Sequence, residues 1–156
     1  MLITRLKLKN WRNFRDVDVE LGPRGYLIGA NASGKSNFLD VFRFLRTIAQ
    51  SEGGGLQKAL KDRGGLTKLR SLHARMDPEV RIEIELSESA ADSAPTWSYA
   101  LAFKSEGKGL QRVLITEESV YRRSKKVIVR PRPEDLSDPA RLTQTHLEQI
   151  NNNADF

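Results

Sequence analysis

The sequence predicts an α/β fold that joins a phosphate-binding core to an antiparallel β subdomain. Three observations predict it: a glycine-rich loop between an apolar run and an amphipathic helix, a hairpin pattern ahead of that loop, and a series of short alternating strands in the second half of the chain. With 156 residues, the chain is long enough for about one domain with a sizeable buried core.

The glycine-rich loop from Gly29 to Ser36 reads GANASGKS and fits the pattern G-x-x-x-x-G-K-[ST] at every constrained position. In such loops the glycines let successive backbone N–H groups point at phosphate oxygens, the lysine reaches the β- and γ-phosphates, and the hydroxyl ligates Mg²⁺. The sequence therefore predicts a nucleotide site with Ser36 as a metal ligand. Its predicted nucleotide-binding residues in this part of the chain are Gly29, Asn31, Ala32, Ser33, Gly34, Lys35, Ser36 and Asn37.

The residues on either side of the loop favour the same interpretation. The apolar run Tyr26-Leu27-Ile28 predicts a short buried strand before the loop, and apolar residues from Phe38 to Ile48 recur at helical spacing without Pro or Gly. A helix beginning near Lys35 would add its positive N-terminal end to the phosphate site. Strand, loop and helix together give the geometry that phosphate binding requires.

Two alternating segments precede the loop. Leu2 to Lys9 and Phe14 to Leu21 both alternate apolar with polar side chains, and the residues between them suit a tight turn. We therefore expect residues 1–50 to form an antiparallel hairpin followed by the phosphate-loop strand and helix. Adenylate-kinase-like and Ras-like folds usually open directly with the phosphate-loop strand, so the hairpin argues against both.

Two strings within residues 1–50 carry a family resemblance. ITRLKLKNWR at the start and SNFLD after the loop are similar to the N-terminal half of an ABC-type ATPase head, of the SMC/RecF-like or OLD-like branch of AAA-family ATPases. The resemblance implies ATP and Mg²⁺ as ligands and an approach of Asn10, Arg12 and Asn13 to the adenine or ribose end. A plain alternative for these three is two turn-forming asparagines and an exposed arginine.

The rest of the chain is expected to contain three further parts. Residues 51–78 predict a linker with short helical pieces, because two glycine clusters interrupt this stretch. Residues 79–133 alternate in short runs and predict an antiparallel β-meander. By the same resemblance, residues 134–156 would hold a Q-loop, whose glutamine senses Mg²⁺ and the γ-phosphate, and the start of a truncated remainder. Gln144 is the candidate metal ligand and Gln149 the second choice.

Composition limits the compartment and the partners. The chain has no cysteine, which excludes disulfides and thiolate metal sites, and it has neither a signal-peptide pattern nor an apolar stretch that could span a bilayer. We expect a cytoplasmic protein without membrane contact. The net charge of +6 and the basic excess between Lys104 and Arg132 fit either a DNA contact or a solvated hairpin.

The sequence leaves three functions open, because no Walker B string of four apolar residues and Asp-Glu is present. The nearest string, Val113 to Glu118, falls inside the predicted meander. The first function is ATP hydrolysis by the complete protein in a DNA-related process such as repair, segregation or anti-phage defence. The second is a non-hydrolysing nucleotide-binding assembly module, and the third a small-molecule phosphotransferase. We expect this chain alone to be inactive, with a second ATPase subunit or a C-terminal half supplying the missing parts.

Overall fold

A computed structural model describes residues 1–50, 52–72, 74, 78–107 and 112–149. None of the helices in this described part is long and apolar enough to cross a membrane. The secondary-structure elements in chain order are β1 Leu2–Trp11, β2 Phe14–Glu20, α1 Lys35–Ala49, α2 Leu56–Lys61, α3 Leu66–Leu69, β3 Val80–Ser87, β4 Trp97–Ser105, β5 Val113–Arg122, β6 Lys125–Arg130, α4 Pro133–Ser137 and a 3₁₀ helix Pro139–Thr143.

The strands form one six-stranded antiparallel sheet in the order β2-β1-β3-β4-β5-β6. The N-terminal hairpin and the meander therefore share a sheet, because β1 pairs with β3. A row of cross-strand partners with apolar or aromatic side chains crosses five strands on the core face. This row consists of Leu6, Ile84, Tyr99, Val120 and Ile128.

Helix α1 belongs to the same core as that face. Its residues Val41, Phe44 and Ile48 are fully buried, as their helical spacing predicts. The Phe44 ring lies 5.1 Å from the ring of Trp11 and 5.8 Å from that of Phe103, measured between centroids. Aromatic contacts thus fasten the helix that follows the glycine-rich loop to two different strands of the sheet.

Residues 51–78, predicted to be a linker with short helical pieces, contain two short helices that pack into the core. The apolar side chains of both helices have at most 9% of their surface exposed. The spacing of Leu56, Ala59 and Leu60 places the three on one helical face, which explains the burial. Two backbone bonds attach the end of the segment to β1 and the turn after it, from Arg12 N to Leu69 O at 2.7 Å and from Ser71 N to Asn10 O at 2.9 Å.

The predicted buried strand before the glycine-rich loop is wrong for this structure. Tyr26, Leu27 and Ile28 form no strand and have 87%, 45% and 92% of their surfaces exposed. A strand needs neighbouring backbone to complete its hydrogen bonds. All six described strands are paired with one another in the antiparallel sheet, and none of them pairs with residues 26–28.

Candidate nucleotide-binding site

The loop meets α1 at Gly34, whose φ of 101° lies in the left-handed region. The first N–H groups of a helix have no acceptor within the helix, and no side chain in the described part of the chain caps this end. No acidic residue lies in the first turn either. Free donors and the positive end of the helix dipole therefore face the loop, as an anion site requires.

The turn between β1 and β2 lies directly against this junction. A Cβ added to Gly34 would overlap the side-chain amide of Asn13, so a larger residue there would have to displace that side chain. Asn13 Oδ1 accepts a hydrogen bond of 2.8 Å from Asn37 Nδ2, and Asn13 Nδ2 lies 3.5 Å from the Ser33 carbonyl oxygen. Asn13 thus ties the hairpin to both the loop and the helix.

Within the loop, Lys35 folds back on the residues that precede it. Its Nζ donates to the carbonyl oxygens of Gly29 at 2.6 Å and Ala30 at 2.7 Å. Ala32 adopts a left-handed φ of 62°, and a Cβ on Gly29 would lie 2.7 Å from Ser33 Oγ. The loop is therefore a tightly curved backbone with the lysine ammonium held against it.

Two buried side chains at the end of β1 hold this part of the hairpin to α1 and to the start of β3. Trp11 is fully buried and donates from Nε1 to the Asn37 carbonyl at 2.8 Å. Asn10 is 4% exposed and donates from Nδ2 to the Glu79 carbonyl at 2.8 Å. The structure thus gives Asn10 a role in holding β1 to the start of β3, while its contact with the nucleotide stays a prediction.

Asp40 joins two arginines next to the loop. Arg12 donates from one terminal nitrogen to Asp40 Oδ2 at 2.9 Å, and Arg63 donates to both carboxylate oxygens at 2.9 Å. Burial alone would raise the pKa of Asp40, but the hydrogen bonds from Arg63 and Arg12 outweigh it and hold the pKa below its usual value. The string SNFLD includes Asp40, but the sequence predicted no role for that residue. Nothing in the sequence pattern indicated that Arg63 would pair with it.

The segment that holds Gln144 is fixed by two buried charged residues. Arg130 donates to the carbonyl oxygens of Gln144 and Arg141, both at 2.8 Å. Glu118 accepts from the His146 backbone N–H at 2.9 Å on both of its oxygens. Gln144 is itself exposed between these two anchors. Ser36 is also exposed, and the prediction that Gln144 and Ser36 bind the same metal stays a prediction. The second choice, Gln149, stays a prediction as well. Residues 150–156 of the predicted remainder lie outside the described residues.

The string Val113 to Glu118 lies within β5, as expected for a member of the meander. Glu117 pairs with both terminal nitrogens of Arg81 at 2.6 and 3.0 Å. Glu118 is fully buried and is bound by Tyr99 and Arg130, and its burial raises the pKa of the carboxyl despite these partners. Both carboxylates are thus engaged within the sheet and its edge.

Residues 26–152 match the family described as "AAA domain, putative AbiEii toxin, Type IV TA system", and the matched range starts just before the glycine-rich loop. The chain belongs to this AAA-domain family. The match covers well over half of the chain, so the expected phosphate-loop NTPase fold with an antiparallel β subdomain is confirmed.

Curated relatives of this AAA-domain chain carry the name DNA replication and repair protein RecF. The protein from Clavibacter michiganensis is 30% identical over 95 residues, which cover 60% of this chain and 24% of that protein. The protein from Brucella abortus is 34% identical over 94 residues, which cover 57% of this chain and 23% of that protein. The chain thus spans about a quarter of the length of these relatives.

A solved structure from work on ATP-driven dimerization and DNA-stimulated activation of SMC ATPases is also similar. Its TM-score is 0.46 at 15% identity, over 81% of this chain and 72% of that one. The family match and the RecF relatives confirm the resemblance to the N-terminal half of an ABC-type ATPase head of the SMC/RecF-like or OLD-like branch.

Proposed function

We propose that this chain binds Mg-ATP at the junction of the glycine-rich loop and α1, as the phosphate-binding half of an ABC-type ATPase head. The observation that carries the proposal is the tightly curved loop, which holds the Lys35 ammonium against its own carbonyl oxygens at the start of α1. The uncapped start of α1 supports it, because its N–H groups and dipole favour an anion.

Each residue of the loop has a distinct part in this proposal. The ammonium of Lys35, held by the carbonyl oxygens of Gly29 and Ala30, is the group that would bind the β- and γ-phosphates. The backbone N–H groups from Asn31 to Asn37 would surround the phosphates. The Ser36 hydroxyl, together with Gln144, would hold Mg²⁺, which neutralises phosphate charge when it is bound.

Arg12 and Asn13 are proposed for the adenine or ribose end. Both lie in the turn that packs on the loop, and Arg12 keeps its Nε without a hydrogen-bond partner in the described part of the chain. A buried donor of this kind is costly unless a further group satisfies it. Asn10 is included in the same proposal only through the resemblance.

The complete protein is proposed to hydrolyse ATP in a DNA-related process such as repair, segregation or anti-phage defence. The name of the RecF relatives supports a DNA-related role, and the family description supports a defence role. A second ATPase subunit or a C-terminal half would then supply the remaining catalytic groups. The alternative of a non-hydrolysing assembly module draws support from Glu117 and Glu118, which are both engaged in ion pairs.

Thermal unfolding with and without Mg-ATP tests the binding proposal. Ligand at 100 times its Kd should stabilise the chain by about 2.7 kcal/mol, a shift of several degrees for a domain of this size. Lys35→Ala should remove most of the shift, because the phosphate charge loses its fixed partner. Lys61→Ala is the matched control, since that lysine is exposed on α2 and away from the loop. A melting curve of the parent chain that Mg-ATP leaves unmoved would contradict the proposal.

A further inference from the structure

The turn between β5 and β6 carries the densest run of positive charge in the chain. Arg122, Arg123, Lys125 and Lys126 surround Ser124, and all five residues are exposed. We call residues 122–126 the basic hairpin tip. It lies at the end of β6, which is an edge strand of the sheet.

None of the four cations in the basic hairpin tip forms an ion pair with a described residue. Basic residues elsewhere on the same sheet behave differently. Arg5 is paired with Asp18, and Arg81 is paired with both Glu83 and Glu117. The charge of the tip is therefore available to a partner, whereas much of the charge on the central strands is neutralised within the fold.

The arrangement of these cations opposes folding. Arg122 and Lys125 are direct cross-strand partners, and like charges in that position repel one another. The two turn residues, Arg123 and Ser124, have left-handed φ values of 46° and 66°. A two-residue turn of this type favours Asn-Gly, so neither turn chemistry nor strand pairing explains an arginine here. A binding role for the charge accounts for a sequence that the local structure disfavours.

One of the arginines is also held in place by an aromatic ring. The Arg122 guanidinium lies 5.2 Å from the centroid of the Trp97 ring, a cation–π contact across the β4–β5 pair. The contact orients the guanidinium without neutralising it. Arg122 and Lys125 lie on the core face of the sheet, while Lys126, in the next row beside Tyr121, lies on the opposite face. The tip thus presents positive charge on both sides of a thin sheet corner.

We propose that the basic hairpin tip is a contact surface for duplex DNA. It would bind the phosphate backbone, whatever the base sequence. Four unpaired cations in five residues match the repeated phosphates of a nucleic acid, and a tip without exposed large apolar side chains at residues 122–126 does not suit insertion into a lipid surface. The inference deepens the DNA-related role proposed above and rests on it, but it does not depend on ATP binding.

Fluorescence anisotropy with a labelled duplex of mixed sequence tests this surface. Affinity of the full chain is measured between about 50 and 200 mM salt, where phosphate contacts give a steep salt dependence. The test variant changes Arg122, Arg123, Lys125 and Lys126 to Gln. The matched control changes Arg43, Arg46, Lys61 and Lys68 to Gln. It also removes two arginines and two lysines, but from exposed positions outside the tip. Both variants are also melted with Mg-ATP.

We expect the tip variant to bind the duplex about tenfold or more weakly at the lowest salt, and to reduce the slope of log affinity against log salt by roughly two to four. The control variant should keep the slope of the parent chain, and both should keep the Mg-ATP melting shift. Equal loss in both variants would overturn the tip as the site, and so would unchanged binding by a tip variant that keeps the Mg-ATP melting shift. Failure of the parent chain to bind the duplex, or binding only to anionic lipid vesicles, would overturn this surface but not the DNA-related role of the complete protein, and the melting shift tests ATP binding separately.

Discussion

The Asp40 carboxylate accepts two hydrogen bonds of 2.9 Å from the guanidinium of Arg63, a bidentate pair that joins α1 to the turn after α2. The Arg63 side chain is only 8% exposed and its guanidinium also lies 5.1 Å from the centroid of the Phe44 ring. Arg12 completes the cluster from the hairpin side. Three separate segments of sequence therefore meet at Asp40, one turn of helix beyond the glycine-rich loop.

Asp40→Asn should destabilise the chain by about 2 kcal/mol at neutral pH, because hydrogen bonds to two charged donors lose their ionised acceptor. The folded protein lowers the pKa of Asp40, so its contribution is present above the pKa of the unfolded chain and is lost as pH falls through the folded pKa. Denaturant unfolding of the parent and variant from about pH 7 to pH 2 should show a gap that is constant above about pH 5 and shrinks below about pH 4.

Asp62→Asn is the control for that experiment, since Asp62 pairs with Lys58 at an exposed i,i+4 position. Its effect should stay below about 0.5 kcal/mol. A gap for Asp40→Asn that does not change between neutral and acid pH would show that the two arginines do not lower the pKa of its carboxyl.

Gly34→Ala should remove the Mg-ATP melting shift, because the new methyl group would collide with Asn13 and displace the turn from the loop. Gly53→Ala separates this effect from backbone strain. Gly53 also has a left-handed φ, of 66°, but a Cβ there meets nothing within 4 Å. Both substitutions should cost roughly 1 kcal/mol through strain, while only Gly34→Ala should abolish the shift. Loss of the shift in both variants would mean that the crowding at Asn13 is not its cause.

Much of the site could be predicted because it is local in sequence. The positions of Gly29, Gly34 and Lys35, and the helix that follows, depend on residues that are neighbours along the chain. The contact of Asn13 with Gly34 depends instead on how the hairpin packs on α1, which no local pattern encodes. The pair of Arg63 with Asp40 was missed for the same reason.

Local sequence predicted a strand that does not form, and it did not show how a later segment packs. Tyr26 to Ile28 have the apolar composition of a buried strand, but composition cannot show whether neighbouring strands are available to pair with them. Residues 51–78 were predicted to be a linker with short helical pieces, and the spacing of Leu56 and Leu60 indicated the first helix but not its burial. Gly55 and Gly65 have positive φ values and stand at the start of α2 and α3, so these two glycines begin short helices.

Arg130→Met should destabilise the chain by about 3–5 kcal/mol, because Glu118 and Asp135 would lose a buried ionic partner. Adding Glu118→Gln to that variant should recover part of the loss, since a neutral acceptor still serves the His146 N–H. Hydrogen exchange at residues 141–146 should rise in the single variant. Arg112→Met breaks the exposed pair with Glu106 and should have a much smaller effect, because water screens an exposed ion pair. A double variant no more stable than Arg130→Met would exclude coupling between the two residues.

The isolated chain should bind ATP without measurable turnover. Hydrolysis of the γ-phosphate needs a group that orients the attacking water, beyond the cradle and a metal ligand. The carboxylates nearest to a Walker B pattern in sequence are Glu117, which pairs with Arg81, and Glu118, which is fully buried against Arg130. Neither is free to orient a water molecule.

Steady-state phosphate release from the purified chain in saturating Mg-ATP should therefore match that of Lys35→Ala. Release that Lys35→Ala abolishes would show that another residue of these 156 acts on the water. In that case Glu117→Gln and Glu118→Gln, assayed separately, would decide whether either carboxylate leaves its ion pair when ATP binds. Equal low release by the parent chain and Lys35→Ala, together with an Mg-ATP melting shift in the parent alone, is the combination that separates binding from hydrolysis.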